Sequence, residues 1–304
     1  MTESPTAQPL LTDPAVSLAE VREIAEDFVV ITDRRVPMVP NIGLIGGREA
    51  VLVVDTGLGP DNADRVLEFA LDYARGRALY LTTTHFHPEH AFGAQSFAGA
   101  ATYLLNSAQA TDLAERGPGY LDMFRGLGEA VANRLDGVRL VRPDLVYDNA
   151  YDLDLGGRIV RLAATGRGHT AGDQIVRVPD ADALFTGDLV ESGQFAIFPW
   201  FPPHDTDVSG TRWLAVMERL ADTAPATVIP GHGDIGGPDL LADVRDYLRL
   251  LRDETWRRRD SAMSEETIAA EITALMIGRR PDWTGREWIA PGVGCLCAEH
   301  RGGH

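Results

Sequence analysis

The sequence contains no lysine, and all 28 of its basic residues are arginine. The guanidinium group stays protonated in proteins and cannot form a Schiff base with a carbonyl substrate. The composition therefore excludes Schiff-base chemistry and every mechanism that needs a lysine nucleophile or base.

Cysteine is also scarce. The chain has two, Cys295 and Cys297, and a bridge between residues two positions apart would be strained. This excludes a disulfide framework, so we expect a reducing compartment, the cytoplasm. The N-terminal stretch MTESPTAQPLLTDPAV lacks the basic start and the long apolar core of a signal peptide, which agrees with that expectation.

The chain has little positive charge and no long apolar run. Its 28 basic residues face 45 acidic ones, which gives a formal net charge of −17. Such a surface repels phosphate backbones and anionic membranes, so we expect no nucleic-acid partner and no membrane partner. No stretch approaches the roughly 18 apolar residues of a membrane span. A small-molecule substrate is the expected partner, and the oligomeric state stays open.

Strand-like and helix-like segments alternate along the chain. The predicted strands are Phe28–Thr32, Ile42–Ile45, Val51–Val54, Ala78–Thr82, Val138–Val141, Arg158–Ala163, Ile175–Val178, Ala183–Thr186 and Thr227–Ile229. The predicted helices are Pro60–Arg75, Gly210–Ala221, Leu240–Arg258 and Glu265–Ile277. Groups of strands followed by helices occur in both halves, which suits an α/β fold of two stacked sheets flanked by helices.

The predicted organisation is a short arm followed by one domain. Residues 1–18 are rich in proline, threonine and serine, which is typical of a flexible N-terminal arm. Residues 19–304 then form the domain, with C-terminal helices over about 239–278. A helical segment broken by glycines, at about 106–135, is interpreted as an insertion that is either a lid or a packing element.

Three of the eight histidines fall in one string of six residues, His85-Phe86-His87-Pro88-Glu89-His90. Alternate residues at the end of an extended strand point the same way, so His85 and His87 can hold one cation together. Glu89 and His90 then face a neighbouring position. The hydroxyl groups of the three threonines before the string can support such ligands with hydrogen bonds.

Three further candidates follow predicted strands. His169 lies in the motif G-H-T-A-G-D, Asp188 in T-G-D and His232 in P-G-H-G. The glycines beside them let the backbone approach a metal closely, and loops after strands are where rigid scaffolds present functional groups. The set contains carboxylates and no cysteine, whereas structural zinc sites are closed and usually rich in cysteine, so an open catalytic site is favoured.

In this order, the motifs V-D-T-G, T-H-F-H-P-E-H, G-H-T-A-G-D, T-G-D and P-G-H-G resemble those of the metallo-β-lactamase superfamily. The resemblance covers roughly residues 25–235. It implies a four-layer αββα sandwich of two mixed β-sheets flanked by helices, with the site at one edge of the sheets. It also implies two zinc ions per chain, with iron or manganese as alternative metals.

The resemblance assigns a role to each candidate. It gives the first metal to His85, His87 and His169, the second metal to Glu89, His90 and His232, and the bridging position to Asp188. Asp55, in V-D-T-G, matches a family aspartate that supports the site from outside the ligand set. The family usually has aspartate at the position of Glu89. Because glutamate is one methylene longer, the second metal is expected to sit differently, to bind more weakly or to be a different ion.

The resemblance implies a hydrolase in which a metal-activated hydroxide attacks an ester, lactone, thioester or amide-type bond. Glu89 and Asp188 are the candidate catalytic proton acceptors. Two alternatives stay open: an iron-containing oxidoreductase of the same fold, and a metal-stabilised binding protein without turnover.

The aromatic run from Phe195 to His204 is interrupted by prolines. It suits either the wall of a pocket for a substrate with an apolar part or a loop packed on the sheets.

Overall fold

The computed structural model describes residues 12–302, and the chain separates into two compact units, Met1–Val160 and Arg161–His304. Residues 1–11 of the predicted arm lie outside the described residues. The rest of that segment is anchored, because the Asn62 side chain donates to the Pro14 carbonyl and accepts from the Val16 backbone N–H. Val16 itself is buried in the core of the first unit.

A mixed sheet of seven strands begins the fold, and its strands lie side by side in chain order. They are β1 (Val21–Ala25), β2 (Phe28–Ile31), β3 (Ile42–Gly46), β4 (Ala50–Val54), β5 (Ala78–Thr82), β6 (Ala101–Asn106) and β7 (Leu145–Tyr147). The strands from β1 to β4 pair antiparallel, and those from β4 to β7 pair parallel. Parallel strands end at the same edge, so the residues that follow β4 and β5 come close together.

The helices of the first unit are short except for the first. They are α1 (Gly59–Ala74), α2 (Pro88–Ala91), α3 (Ser107–Glu115), α4 (Gly117–Arg125) and α5 (Glu129–Arg134). The core of this unit lies among the sheet, α1 and the helices from α3 to α5. Asn106 begins α3 with its side chain, which accepts from the Gln109 N–H at 2.9 Å.

The second sheet has five strands in the order β12-β11-β10-β9-β8. They are β8 (Ala150–Asp154), β9 (Ile159–Ala164), β10 (Gln174–Val178), β11 (Ala183–Glu191) and β12 (Thr227–His232). The β11–β12 pair is parallel, whereas β9–β10 and β10–β11 are antiparallel, so this sheet is also mixed. All nine residues of β11 are buried, and Asp188 lies within this strand.

Four helices pack in the second unit: α6 (Gly210–Ala221), α7 (Asp239–Asp260), α8 (Glu265–Arg279) and α9 (Ile289–Gly302). Their apolar faces form a second core around Trp213, which is fully buried. Cys295 and Cys297 lie in α9 and are buried in this core. Among residues 12–302, no helix combines the length and the hydropathy that a membrane span needs.

The predicted strand at Val138–Val141 is wrong, because this segment is an irregular connection before β7. Val138 packs in the first core, and the Leu140 side chain fills the space beside Gly117. The apolar residues therefore serve packing against the helices rather than pairing in a sheet. Six other elements, β1, β6, β7, β8, α2 and α9, were not expected from the sequence.

Candidate metal centre

The string of histidines runs from the loop after β5 into α2, which contains Glu89 and His90. Residues 83–91, the loop and this short helix, form the metal-binding turn. Pro88 occupies the first turn of α2, where its missing N–H leaves no helical hydrogen bond unmade. His85, His87, Glu89 and His90 are each at most 7% exposed. The His85 ring centroid lies 4.6 Å from that of His87 and 4.2 Å from that of His90. The turn thus gathers three imidazoles and one carboxylate, as the sequence predicts.

Asp55 supports this turn from the end of β4. One of its carboxylate oxygens accepts from the Thr84 backbone N–H at 2.7 Å, and the other lies 2.9 Å from His90 Nδ1. An ionised carboxylate only accepts hydrogen bonds, so the His90 proton lies on Nδ1 and the Nε2 lone pair stays available to a metal. The Thr84 hydroxyl lies 3.2 Å from His85 Nδ1, which agrees with the predicted role of the threonines.

A backbone carbonyl orients His169 in the same manner. His169 Nδ1 donates to the Ile197 carbonyl at 2.9 Å, and because a carbonyl cannot donate, the proton again lies on Nδ1. Ile197 is held in turn by Glu191, whose buried carboxylate accepts from the Ile197 N–H at 3.0 Å. Glu191 thus fixes the carbonyl that fixes the imidazole.

Asp188 faces two histidines of the second unit, one with each carboxylate oxygen. His169 Nε2 lies 3.8 Å from one oxygen, and His232 Nε2 lies 3.7 Å from the other. These distances exceed a hydrogen bond, yet they are below the roughly 4 Å sum of a metal–nitrogen and a metal–oxygen bond. Gly231, before His232, allows this approach, because a Cβ there would overlap the Asp188 carboxylate.

The seven candidates fall into two groups in which all the ligand atoms lie within 4.8 Å of one another. The groups are His85, His87, His169 and Asp188, and Glu89, His90, Asp188 and His232. Asp188 belongs to both. The two groups contain all seven residues that the sequence singles out as metal ligands.

The donor chemistry of both groups fits a transition metal. Imidazole nitrogens and carboxylate oxygens without thiolates suit zinc, iron or manganese, whereas calcium prefers oxygen ligands alone. The carboxylates of Glu89 and Asp188 are 7% and 3% exposed, and burying them requires compensating positive charge. A divalent cation in each group would supply that charge.

The aromatic run after β11 packs mainly in the second core. Phe195 and Phe198 are fully buried, and the Phe198 ring lies 5.1 Å from that of Trp213. Trp200 is partly buried, and its ring packs close to Gly294 of α9. His204 is exposed. The packing interpretation is confirmed for Phe195 and Phe198.

Cys295, one of the two buried cysteines of α9, has a thiol of low reactivity. Burial first, and then the nearby Glu299 carboxylate, raises the pKa of the Cys295 thiol to about 12. With this pKa, Cys295 stays a thiol at neutral pH, whereas the form that reacts and binds metals is the thiolate. This agrees with leaving the cysteines out of the site.

Three supports of the site carry no motif and were not predicted from the sequence. Glu191 could have been noticed, because a charged residue in a strand as apolar as β11 needs a partner. Ile197 acts through its backbone, so its side chain gives no signal. Tyr120 of α4, whose ring stacks on that of His87, is far from the motifs along the chain.

About two thirds of the chain is similar to known proteins. The family model of the metallo-beta-lactamase superfamily matches residues 35–232. The bovine (Bos taurus) protein named acyl-coenzyme A thioesterase MBLAC2 is 29% identical over 221 residues, 66% of this chain and 75% of that protein. The hydroxyacylglutathione hydrolase of Acidiphilium cryptum (strain JF-5) is 29% identical over 205 residues, 66% of this chain and 68% of that protein.

A metallo-beta-lactamase from Pontibacter korlensis has a similar structure, with a TM-score of 0.61 at 20% identity over 76% of this chain and 98% of that one. This likeness confirms the predicted fold class, an α/β sandwich with two mixed sheets. The family match, the hydrolases among the relatives and the histidine–aspartate cluster together support a hydrolase that uses a metal. The chain belongs to the metallo-β-lactamase superfamily.

Proposed function

We propose that this protein is a zinc-dependent hydrolase of small acyl thioesters. The observation that carries the proposal is the double ligand set, in which Asp188 is common to two groups of imidazoles and carboxylates. Two relatives have names that denote action on thioesters, acyl-coenzyme A and hydroxyacylglutathione. The thioester is one of the bonds that the sequence predicts as substrate, and these relatives favour it over the others.

His85, His87 and His169 would hold the first zinc, and Glu89, His90 and His232 the second, with Asp188 shared. Zinc bound there would lower the pKa of a water molecule toward about 7 and polarise the substrate carbonyl. The surrounding residues supply orientation. Asp55 and the Ile197 carbonyl keep the protons of His90 and His169 on Nδ1, so that both Nε2 atoms point lone pairs at the site.

Two carboxylates are available for proton transfer. Glu89 and Asp188 are the acidic members of the groups, and either would be available to accept the proton that a metal-bound water loses. The sulfur of a thioester leaves as a thiolate without needing a strong general acid, because thiols have a pKa near 8.5. A site with carboxylate bases and no lysine or cysteine therefore suffices for this reaction.

The charge of the protein restricts the substrate. A net charge of −17 opposes the approach of polyanions, and coenzyme A carries several phosphates. We therefore infer a thioester with little negative charge. An arginine, the only cationic residue type of this chain apart from protonated histidine, would have to hold any carboxylate of the substrate.

The test is a substrate panel on metal-loaded protein. Acetylthiocholine, an acyl-coenzyme A, a hydroxyacylglutathione, p-nitrophenyl acetate, a lactone and a β-lactam are compared by kcat/KM, with His87→Ala as the inactive variant. We expect the highest kcat/KM on a thioester of low charge, loss of activity with chelator, and recovery with zinc. Metal-dependent turnover of lactone or β-lactam without thioester turnover would overturn the substrate class. Bound iron with oxygen consumption would favour the oxidoreductase alternative.

A further inference from the structure

The helices inserted after β6 contact the metal-binding turn along its length. From α3, the Gln109 amide donates to the Thr83 hydroxyl at 2.6 Å, two residues before His85. The Arg116 guanidinium, between α3 and α4, lies over the Phe86 ring at 5.1 Å. From α4, the Tyr120 ring lies against the His87 imidazole. The insertion thus packs directly on residues 83–87.

Tyr120 meets His87 face to face. Their ring centroids are 4.9 Å apart, and the planes differ by only 22°. The His85 ring, in contrast, lies 4.6 Å from His87 at 76°, so it meets the same imidazole at a steep angle. The two neighbours constrain one rotation of the His87 ring, because a turn about its Cβ–Cγ bond would disturb both contacts.

The Tyr120 ring is itself held from several sides. Phe86 meets it nearly edge-on at 4.9 Å, and Phe124, one turn along α4, lies 5.9 Å away. The Arg116 guanidinium lies 5.8 Å from its centroid. Tyr120 is only 6% exposed. A ring fixed in this manner offers a rigid surface to its neighbour, whereas a mobile side chain would not.

We propose that Tyr120 is a positioning residue for His87, and that the insertion thereby sets the metal affinity of the first group. The inference rests on the proposed function, because it requires His87 to bind a metal. An imidazole that is free to rotate loses conformational entropy when it binds, whereas one already aligned by an aromatic face loses less. The stacked face, not the tyrosine hydroxyl, supplies the effect.

Three variants separate the effect of the Tyr120 ring on metal affinity from the effects of its hydroxyl and of core packing. Tyr120→Phe keeps the ring and should bind metal as the natural protein does. Tyr120→Leu removes the flat face and should weaken one of the two metal equivalents by about three- to tenfold, the value of one aromatic pair. Phe97→Leu is the matched control, since Phe97 is a buried aromatic of the same core that takes part in none of the ring contacts described above for Tyr120 and His87.

The experiment titrates the metal-free full-length protein with zinc against a chromophoric chelator, with thermal unfolding of the metal-free forms measured in parallel. The inference is supported if Tyr120→Leu weakens one equivalent while Tyr120→Phe and Phe97→Leu do not. Cobalt in the same proteins should show an altered visible spectrum in Tyr120→Leu alone. If that variant does not fold, Tyr120→Met, with a larger side chain, replaces it.

Two results would overturn the inference, and they differ from failure of the proposed function. If Tyr120→Leu binds both equivalents of zinc with wild-type affinity, the stacked face does not position His87. An equal loss in Phe97→Leu would show that general packing of the first core, rather than the contact with His87, controls affinity. If the natural protein binds no zinc at all, the proposed function fails together with this inference.

Discussion

Replacing Asp55 with asparagine should disable one metal site while keeping the shape of its support. The Asp55 backbone has φ of +70°, a left-handed conformation that asparagine also tolerates. The amide oxygen can still accept from the Thr84 N–H, which is buried and bonded at 2.7 Å. The amide nitrogen then takes the position of the oxygen that lies 2.9 Å from His90 Nδ1.

The substitution should move the proton of the His90 ring from Nδ1 to Nε2. An amide N–H facing Nδ1 favours the His90 tautomer with its proton on Nε2, which removes the lone pair that would bind the metal. Loss of such an outer support typically lowers metal affinity by about 10- to 100-fold. The metal-free protein should lose less, about 1–3 kcal/mol of unfolding free energy, because one charge-assisted hydrogen bond is weakened.

The assay compares zinc affinity by competition titration with unfolding free energy in denaturant. Asp33→Asn is the control, since Asp33 is a buried aspartate of the same unit that belongs to neither group of candidate ligands. We expect one weakened equivalent in Asp55→Asn and two unchanged equivalents in Asp33→Asn. Natural affinity for both equivalents in Asp55→Asn would refute the reasoning about the tautomer.

Three further predictions follow from individual contacts. Phe198→Ala should lower the unfolding free energy by about 3–5 kcal/mol, because the ring is fully buried, and it should leave KM unchanged. A raised KM with wild-type stability would instead support the interpretation of this loop as a pocket wall. Burial raises the pKa of Asp27, but hydrogen bonds from Arg77 and Tyr73 outweigh burial, so the folded pKa is lower than the unfolded value of about 3.8. The ionised Asp27 carboxylate therefore stabilises the fold above pH 3.8, and this stabilisation is lost as the pH falls through the folded pKa. Asp27→Asn should therefore lower Tm at neutral pH and match the natural Tm at strongly acidic pH; a Tm difference that persists unchanged in acid would contradict this sign. Glu89→Ala should lose one metal equivalent and keep the other, measured by native mass spectrometry, and retention of both would show that Glu89 is not a ligand.

The candidate metal residues could be found from the sequence because their signals are local. Three histidines and a glutamate lie within one turn, and the remaining members sit in short glycine-containing motifs after strands. Such turns need particular residue types, for example Gly231, where a side chain would overlap Asp188. Apolar runs such as Val51–Val54 likewise identified buried strands. Local pattern and three-dimensional position therefore agree at the centre of the site.

The supports from Tyr120 and Ile197 could not be found in this way, because they act over long separations. Tyr120 reaches His87 only through the packing of α4, and Ile197 holds His169 with a carbonyl that every residue possesses. The wrong prediction of a strand at Val138–Val141 also arises from packing against residues that are distant in the sequence. Its apolar residues face helices rather than a neighbouring strand, and hydropathy alone does not distinguish the two.

The most direct test of the central claim is the metal content of the purified protein, measured together with its thioester turnover. We expect two equivalents of zinc per chain and thioester hydrolysis that disappears when a chelator removes the metal. Hydrolysis and metal content should return together when zinc is added. Full turnover by protein that has been dialysed against chelator and contains no detectable metal would contradict the claim that this cluster is a catalytic metal site.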